Sequence, residues 1–356
     1  SSTASVNFMS CFADPANIVM LDPQLMEAVT FFNTTMVGMM GTSFERTSLA
    51  AVADWTALEA VMGVPTPIGQ ELSEISPRLA VVLFGTKELE QQQPDALFAF
   101  AENLMKVVDE LSAAGTIPIL TTVPPRKMPP ALAVEVPRYN AVIRAVAQGT
   151  RVPLVDLNLA LAPLPNQGLA PDGIDLSVYM DPNMVATPCD FDPAAGGTFG
   201  YNTRNQVTLA ALDRARRVVD GAPGTDSAPL LDGAGTLEQP FVIPGLPFSD
   251  FRSTADSVSD SIDMYQGGCQ PVDESGPEYV YELTVAQKTT IRAMVFDRAG
   301  TDVDLHLLTL KDIKTCVRRD DRLLTGPVEA GTYYLAVDTL GGATPGDFGL
   351  VVLADG

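Results

Sequence analysis

The strongest constraint on the fold is a change of rhythm near residue 220. Before it, short apolar runs alternate with stretches whose apolar residues recur at helical spacing. After it, short alternating runs follow one another with no helical period between them. The run at residues 78–83 (RLAVVL) stops at Phe84-Gly85-Thr86 and reads as a buried parallel strand. Leu97, Phe100, Leu104, Val107, Val108 and Leu111 then predict a helix over 94–114, stopped by Gly115. A strand at 117–123, a helix at 137–148 with Pro at its first turn, a strand at 152–157 and a helix at 202–219 complete the series. Strand and helix in alternation with short joins imply an α/β fold with a parallel sheet.

Residues 221–235 are rich in Gly, Ala and Pro and read as a linker. Beyond it, strands are predicted at 279–285, 290–296, 303–308, 332–337 and 348–353, separated by turn signals such as Ala330-Gly331 and Gly341-Gly342. That spacing predicts an antiparallel β-sandwich. The organisation expected is an α/β domain at 1–220, a linker at 221–235 and a sandwich at 236–356.

The net charge of −22 is shared by both parts, with 13 basic against 23 acidic residues up to Ala222 and 9 against 21 after it. Such a surface repels phosphate backbones and anionic lipid heads, which argues against nucleic acid and membrane partners. No apolar run reaches the ~18 residues of a membrane span. The opening Ser1-Ser2-Thr3-Ala4-Ser5 has neither a basic nor an apolar leader region, so the expectation is that a leader was removed or that there never was one. Cys11, Cys189, Cys269 and Cys316 lack CxxC spacing, and with a single His a zinc site is not expected. Two cysteines fall in each part. We expect the disulfides Cys11–Cys189 and Cys269–Cys316 and an oxidising compartment, hence a secreted protein.

That single histidine is His306, in the stretch Asp302-Val303-Asp304-Leu305-His306-Leu307. A serine or cysteine hydrolase needs a base that titrates near neutral pH, usually His, and the first 300 residues offer none. By alternation with Leu305 and Leu307, His306 is expected to face away from the core. Asp302 and Asp304, with Asp297 or Asp338, offer hard oxygens that would suit Ca²⁺.

The stretches RLAVVLFGTKEL, Leu154-Val155-Asp156-Leu157 and Ala170-Pro171-Asp172-Gly173-Ile174-Asp175-Leu176-Ser177, with the TVPPR turn between them, carry a resemblance over most of residues 1–220. They resemble the GxND and DGxH blocks of the SGNH (GDSL-like) esterases. The resemblance implies a flavodoxin-like parallel sheet and an ester-hydrolysing ancestry. It also locates departures. Gly85 is retained, but the family's oxyanion Asn falls on Lys87, its Asp on Glu88 and its catalytic His on Asp175, while the triad Asp is kept at Asp172. Ser1-Ser2-Thr3-Ala4-Ser5 resembles the end of the nucleophile block, which puts Ser1 at the nucleophile position. The family's first strand is then missing from its place, and a strand donated by another segment is one way to supply it. Gly41 to Ser48 (GTSFERTS) resembles the second family block or is a polar loop after the apolar stretch Met36–Met40. Met36, Met39, Met40 and Trp55 are expected to be packing residues, and Arg214, Arg216 and Arg217 to answer the dipole of the last helix.

An Asp at position 175 is a poor base, because an unperturbed Asp has a pKa of about 4. Lys87 and Asp175 are expected to form an ion pair across the former cleft. The region 236–354, through DSIDMY, ESGPEYVY, DVDLHL and AGTYYL, resembles the bacterial pre-peptidase C-terminal domain, an accessory β-sandwich of secreted proteins. The whole implies a secreted, non-catalytic protein with a structural or binding role, through protein partners or self-assembly. Two other readings remain open: an active esterase with an unusual base, and a glycan-binding protein that reuses the cleft.

Overall fold

A computed structural model describes residues 8–34, 41–91, 96–222, 224, 231–298 and 300–355. The chain divides into two compact units around residue 225.

Among the described residues the first unit is built on a parallel sheet of three strands, with β1 (Leu79–Val82), β2 (Ile117–Thr121) and β3 (Leu154–Val155) adjacent in that order. Leu79 lies opposite Ile117, and Leu120 opposite Leu154. The helices are α1 (Pro23–Thr34), α2 (Ala57–Val61), α3 (Pro67–Ile75), α4 (Thr86–Gln91), α5 (Ala96–Ala113), α6 (Pro130–Ala133), α7 (Val136–Thr150), α8 (Leu157–Leu161) and α9 (Gly200–Val219). In α5 the buried residues include Phe100, Leu104, Val107, Val108 and Leu111, the stripe predicted from spacing. Its stop is Gly115, whose φ of +77° suits glycine. β3 is shorter than predicted because Asp156 leaves the ladder to cap α8, accepting from the Leu159 amide at 3.1 Å. One core gathers Ile119, Val155, Leu157, Leu161 and Tyr201. Another gathers Phe12, Leu25, Val29, Phe44 and Phe191. The Cys11–Cys189 disulfide borders the second core and closes a sequence separation of 178.

The second unit is a sandwich of two sheets. Its strands are β4 (Phe241–Val242), β5 (Phe248–Ser253), β6 (Glu278–Val285), β7 (Thr289–Asp297), β8 (Val303–Leu308), β9 (Cys316–Asp320), β10 (Leu323–Val328), β11 (Gly331–Thr339) and β12 (Asp347–Asp355). One sheet runs β10-β7-β12-β5 and is antiparallel throughout; the other runs β4-β6-β11-β8-β9 and is antiparallel except for β4 with β6. Tyr281, Leu283, Leu305 and Val337 from one sheet meet Ile291, Val295, Leu350 and Val352 from the other in a continuous core. The five strands predicted here are present to within about two residues. β4, β5, β9 and β10 were not predicted, since short or charge-bearing runs such as CVRRD lack a clean apolar alternation. Leu231 packs on this core, and the Val242 amide donates to the Asp232 carbonyl at 2.9 Å, so residues 231–235 are part of the sandwich.

The expectation for His306 is overturned. All six residues of β8 are buried, and His306 is 1% exposed. The face it points to carries a second apolar layer, in which Ile262, Tyr265, Cys269, Val280, Leu308, Cys316 and Ala336 pack together. The Cys269–Cys316 disulfide pins that layer to β9. Alternation separates the two faces of a strand; which face is wet depends on what else covers it.

Candidate functional site

The loop after β1 is shaped by Gly85 and Glu88. Gly85 has φ +111°, and a side chain there would meet Val123 at 2.7 Å and the Phe100 ring at 3.3 Å. Glu88, 6% exposed, turns its carboxylate inward and accepts from the amides of Ala57 at 2.7 Å and Gly85 at 2.9 Å. Burial raises its pKa, opposed by these hydrogen bonds. Glu88 thus ties the loop to the start of α2.

Lys87 does not pair with Asp175, contrary to expectation. Its Nζ lies 3.3 Å from Glu90 and 3.4 Å from Asp54. The hydrogen bonds to Glu90 and Asp54 raise its pKa. Glu90 also accepts from Arg126 at 2.8 Å, so a short acid–base chain from Asp54 to Arg126 lines the loop. Two nearer carboxylates capture the ammonium before Asp175 can.

Asp172 serves its own loop. Its Oδ1 accepts from the amides of Ile174 at 2.8 Å and Asp175 at 3.0 Å, an Asx-type turn. Gly173, at φ +70°, presents its carbonyl to the amides of Lys127 and Met128. The Asp175 carbonyl accepts from Ala170 at 2.8 Å. Ser1, Met36, Met39 and Met40 lie outside the described residues.

The GTSFERTS loop is held by internal acid–base contacts. Glu45 accepts from the Thr42 amide at 3.0 Å, Arg46 pairs with Glu71, and Phe44 is buried. Ser43 lines a cavity of about 1160 Å³ that also borders Gly85, Thr86, Lys87, Asp54 and Trp55. Ser43 was not singled out as a site residue from sequence. The signal in the sequence was a hydroxyl two residues after a glycine, Gly41-Thr42-Ser43; the structure gives that glycine φ +112°. Trp55 is partly buried at this cavity rather than a core residue. On α9, Arg216 at 2.8 Å and Arg217 at 2.9 Å both pair with Asp213, which is fully buried, so they neutralise a specific carboxylate as well as standing near the helix end.

A second constellation lies in the sandwich. His306 Nε2 is 3.1 Å from Glu274 Oε1, and Arg319 bonds both Glu274, at 3.3 Å, and Asp304. Burial pushes the His306 pKa down to about 3 and that of Asp304 up to about 7. The Tyr265 hydroxyl donates to Asp338 Oδ2 at 2.7 Å, and burial pushes the Asp338 carboxyl up to about 10. The aspartate set expected for Ca²⁺ is not assembled. Asp304 turns to Arg319, Asp338 to Tyr265, and Asp297 accepts from the Val303 amide at 3.3 Å. Instead, Glu274, Asp304 and His306 bring one potential ligand atom each to within 4.8 Å of one another, with the Arg319 guanidinium bonded to both carboxylates. Both expected disulfides are formed. No described helix is long and apolar enough to cross a membrane.

The GDSL-like Lipase/Acylhydrolase family model matches residues 34–182. Among solved structures, a GDSL-like lipase from Bacteroides thetaiotaomicron is 19% identical, with 41% of this chain and 67% of that one covered and a TM-score of 0.29. A putative acylhydrolase from Bacteroides fragilis is 16% identical, covering 46% and 72% at a TM-score of 0.31. The pre-peptidase C-terminal domain of a collagenase from Bacillus anthracis is 19% identical, covering 31% and 91% at a TM-score of 0.23. No curated protein matches. The matched segment spans the Gly41–Ser48 loop, the Gly85 loop and the Asp172 turn, and the chain continues beyond it into the β-sandwich: over residues 34–182 the chain is similar to the GDSL-like lipase/acylhydrolase family.

Proposed function

We propose that this chain is an extracellular binding protein built on a hydrolase fold, without ester-hydrolysing activity of its own. The observation that carries the reading is the state of Lys87. It stands where the resemblance puts an oxyanion-hole Asn, and Glu90 and Asp54 hold it protonated, so it is a poor general base at neutral pH. Asp172 spends one carboxylate oxygen on its own turn, and no imidazole occurs in the first 300 residues to relay a proton from a serine. The two disulfides fit an oxidising, extracellular setting.

The test uses the full chain with a fluorophosphonate probe and with p-nitrophenyl acetate, beside Ser43→Ala and Ser1→Ala variants. The expected result is no covalent labelling and the same background hydrolysis in all three proteins. Stoichiometric labelling of the wild type, lost in either variant, would overturn the reading and establish an active esterase.

A further inference from the structure

The covered face of β8 gathers two carboxylates around one cation. Asp304 and His306 stand two residues apart on the same side of the strand, and both are buried. Glu274 reaches them from the segment before β6 and is buried as well. Arg319 answers both acids, at 3.3 Å from Glu274 and in a direct pair with Asp304. His306 adds no positive charge, since burial keeps its ring neutral. Two buried carboxylates facing one guanidinium leave one negative charge over, which is costly away from water.

The three side chains also converge. Glu274, Asp304 and His306 each offer a ligand atom, and these atoms lie within 4.8 Å of one another. His306 Nε2 is 3.1 Å from Glu274 Oε1. Donors bonded to one first-row cation at ~2.0–2.2 Å stand roughly 3 Å apart, so this contact already has the length of an edge of a coordination shell. Bonding capacity is left unspent: Glu274 Oε2 and His306 Nδ1 have no hydrogen-bond partner among the described residues, on side chains 1% exposed. Tyr265, stacked on the imidazole at 3.7 Å, fixes the plane of the ring. The sulfurs of Cys269 and Cys316 come equally near His306 but are bonded to one another and offer no thiolate. An imidazole beside two carboxylates favours a zinc-like cation over Ca²⁺, which takes oxygen ligands. Arg319 has a way out, for it lies on β9, the last strand in its sheet order, and its side chain is 25% exposed. Sequence spacing gives no sign of the site, because the donors come from separate segments.

We propose that Glu274, Asp304 and His306 form a binding site for one divalent cation of the zinc class, kept shut by Arg319 until the cation displaces the guanidinium. Two positive charges then face two carboxylates. The cation ties the segment carrying Glu274 to β8, as the Cys269–Cys316 disulfide ties the same layer to β9. The site belongs to the second unit and holds whether or not the first turns over esters.

The chain has a single histidine, so the ring nitrogens of ¹⁵N-histidine-labelled protein report on this site alone. The oxidised full chain, stripped with a chelator, is titrated with Zn²⁺ and followed by nitrogen NMR; Co²⁺ binding is followed in parallel by visible absorption. The expected result is that one ring nitrogen moves to a metal-bound position at one Zn²⁺ per chain, that Ca²⁺ does not reproduce the shift, and that Zn²⁺ raises the thermal melt. Arg319→Gln removes the competing guanidinium and should bind Zn²⁺ about tenfold tighter or more. Glu274→Gln should lose the Co²⁺ absorption; if that variant fails to fold, the wild-type nitrogen spectrum decides by itself. Ring nitrogens unmoved by saturating Zn²⁺ in both the wild type and Arg319→Gln would overturn the proposal. So would Zn²⁺ binding that Arg319→Gln weakens, or a Ca²⁺ shift equal to that of Zn²⁺.

Discussion

The ring of Tyr265 stacks on the ring of His306, with centroids 3.7 Å apart and planes 12° from parallel. The same tyrosine donates its hydroxyl to Asp338, and the same histidine meets Glu274. One aromatic pair therefore joins two buried carboxylates from different parts of the sandwich. The pair is kept neutral by burial: the His306 pKa is depressed, so it stays an uncharged imidazole at physiological pH, and Tyr265 is pushed upward.

This layer gives the sandwich a definite pH response. A carboxyl raised in the folded state from 3.8 to about 10 contributes stability that is present below about pH 4 and lost as pH rises through 10. His306, lowered to about 3, has the opposite sign: its contribution is present above 6.5 and lost as pH falls. Asp304, raised to about 7, contributes most of its slope below that pH. Between pH 7.5 and 9 Asp338 dominates the three. Urea unfolding of the second unit should show stability falling with pH there, by at most about 1.4 kcal/mol per pH unit. Asp338→Asn should flatten the slope; an unchanged slope would refute the assignment.

Glu88 is expected to matter for stability rather than for chemistry. Its carboxylate is the acceptor for two amides, of Ala57 and Gly85, at a site 6% exposed. Glu88→Ala leaves both without a partner and should cost about 2–4 kcal/mol in urea unfolding of the first unit. Glu88→Gln keeps acceptor capacity and should cost less. A Glu88→Ala change within ~0.5 kcal/mol of wild type would show that water replaces the carboxylate.

Asp213 predicts a non-additive pair. It is fully buried and held by Arg216, Arg217 and the Gln24 side-chain amide at 3.2 Å. Either arginine replaced by Ala leaves the other as counter-ion. Replacing both leaves a buried carboxylate with only Gln24, and the double variant should lose about 3–5 kcal/mol, more than the sum of the singles. A double-mutant cycle from denaturant melts checks this; simple additivity would mean the arginines act through the helix end alone.

Much of the architecture was legible in the sequence, because periodicity reports which side of an element is apolar. The stripe Phe100–Leu111, the run ending at Gly85 and the strand Val303–Leu308 appear where the pattern places them. Both cysteine pairings also followed from their distribution. Local spacing could not say what covers an element or which partner a charge selects. His306 alternates as a surface residue would, yet the layer holding Tyr265 and Glu274 buries it. Lys87 and Asp175 sit on loops that the resemblance brings together, yet Asp54 and Glu90 lie nearer to the ammonium. The pairing of β1 with β2 has no sequence signature, since RLAVVL would read the same with a neighbour on either side. Periodicity is a property of one segment, whereas burial, ion pairing and strand adjacency are properties of several at once, and only the tertiary structure decides them.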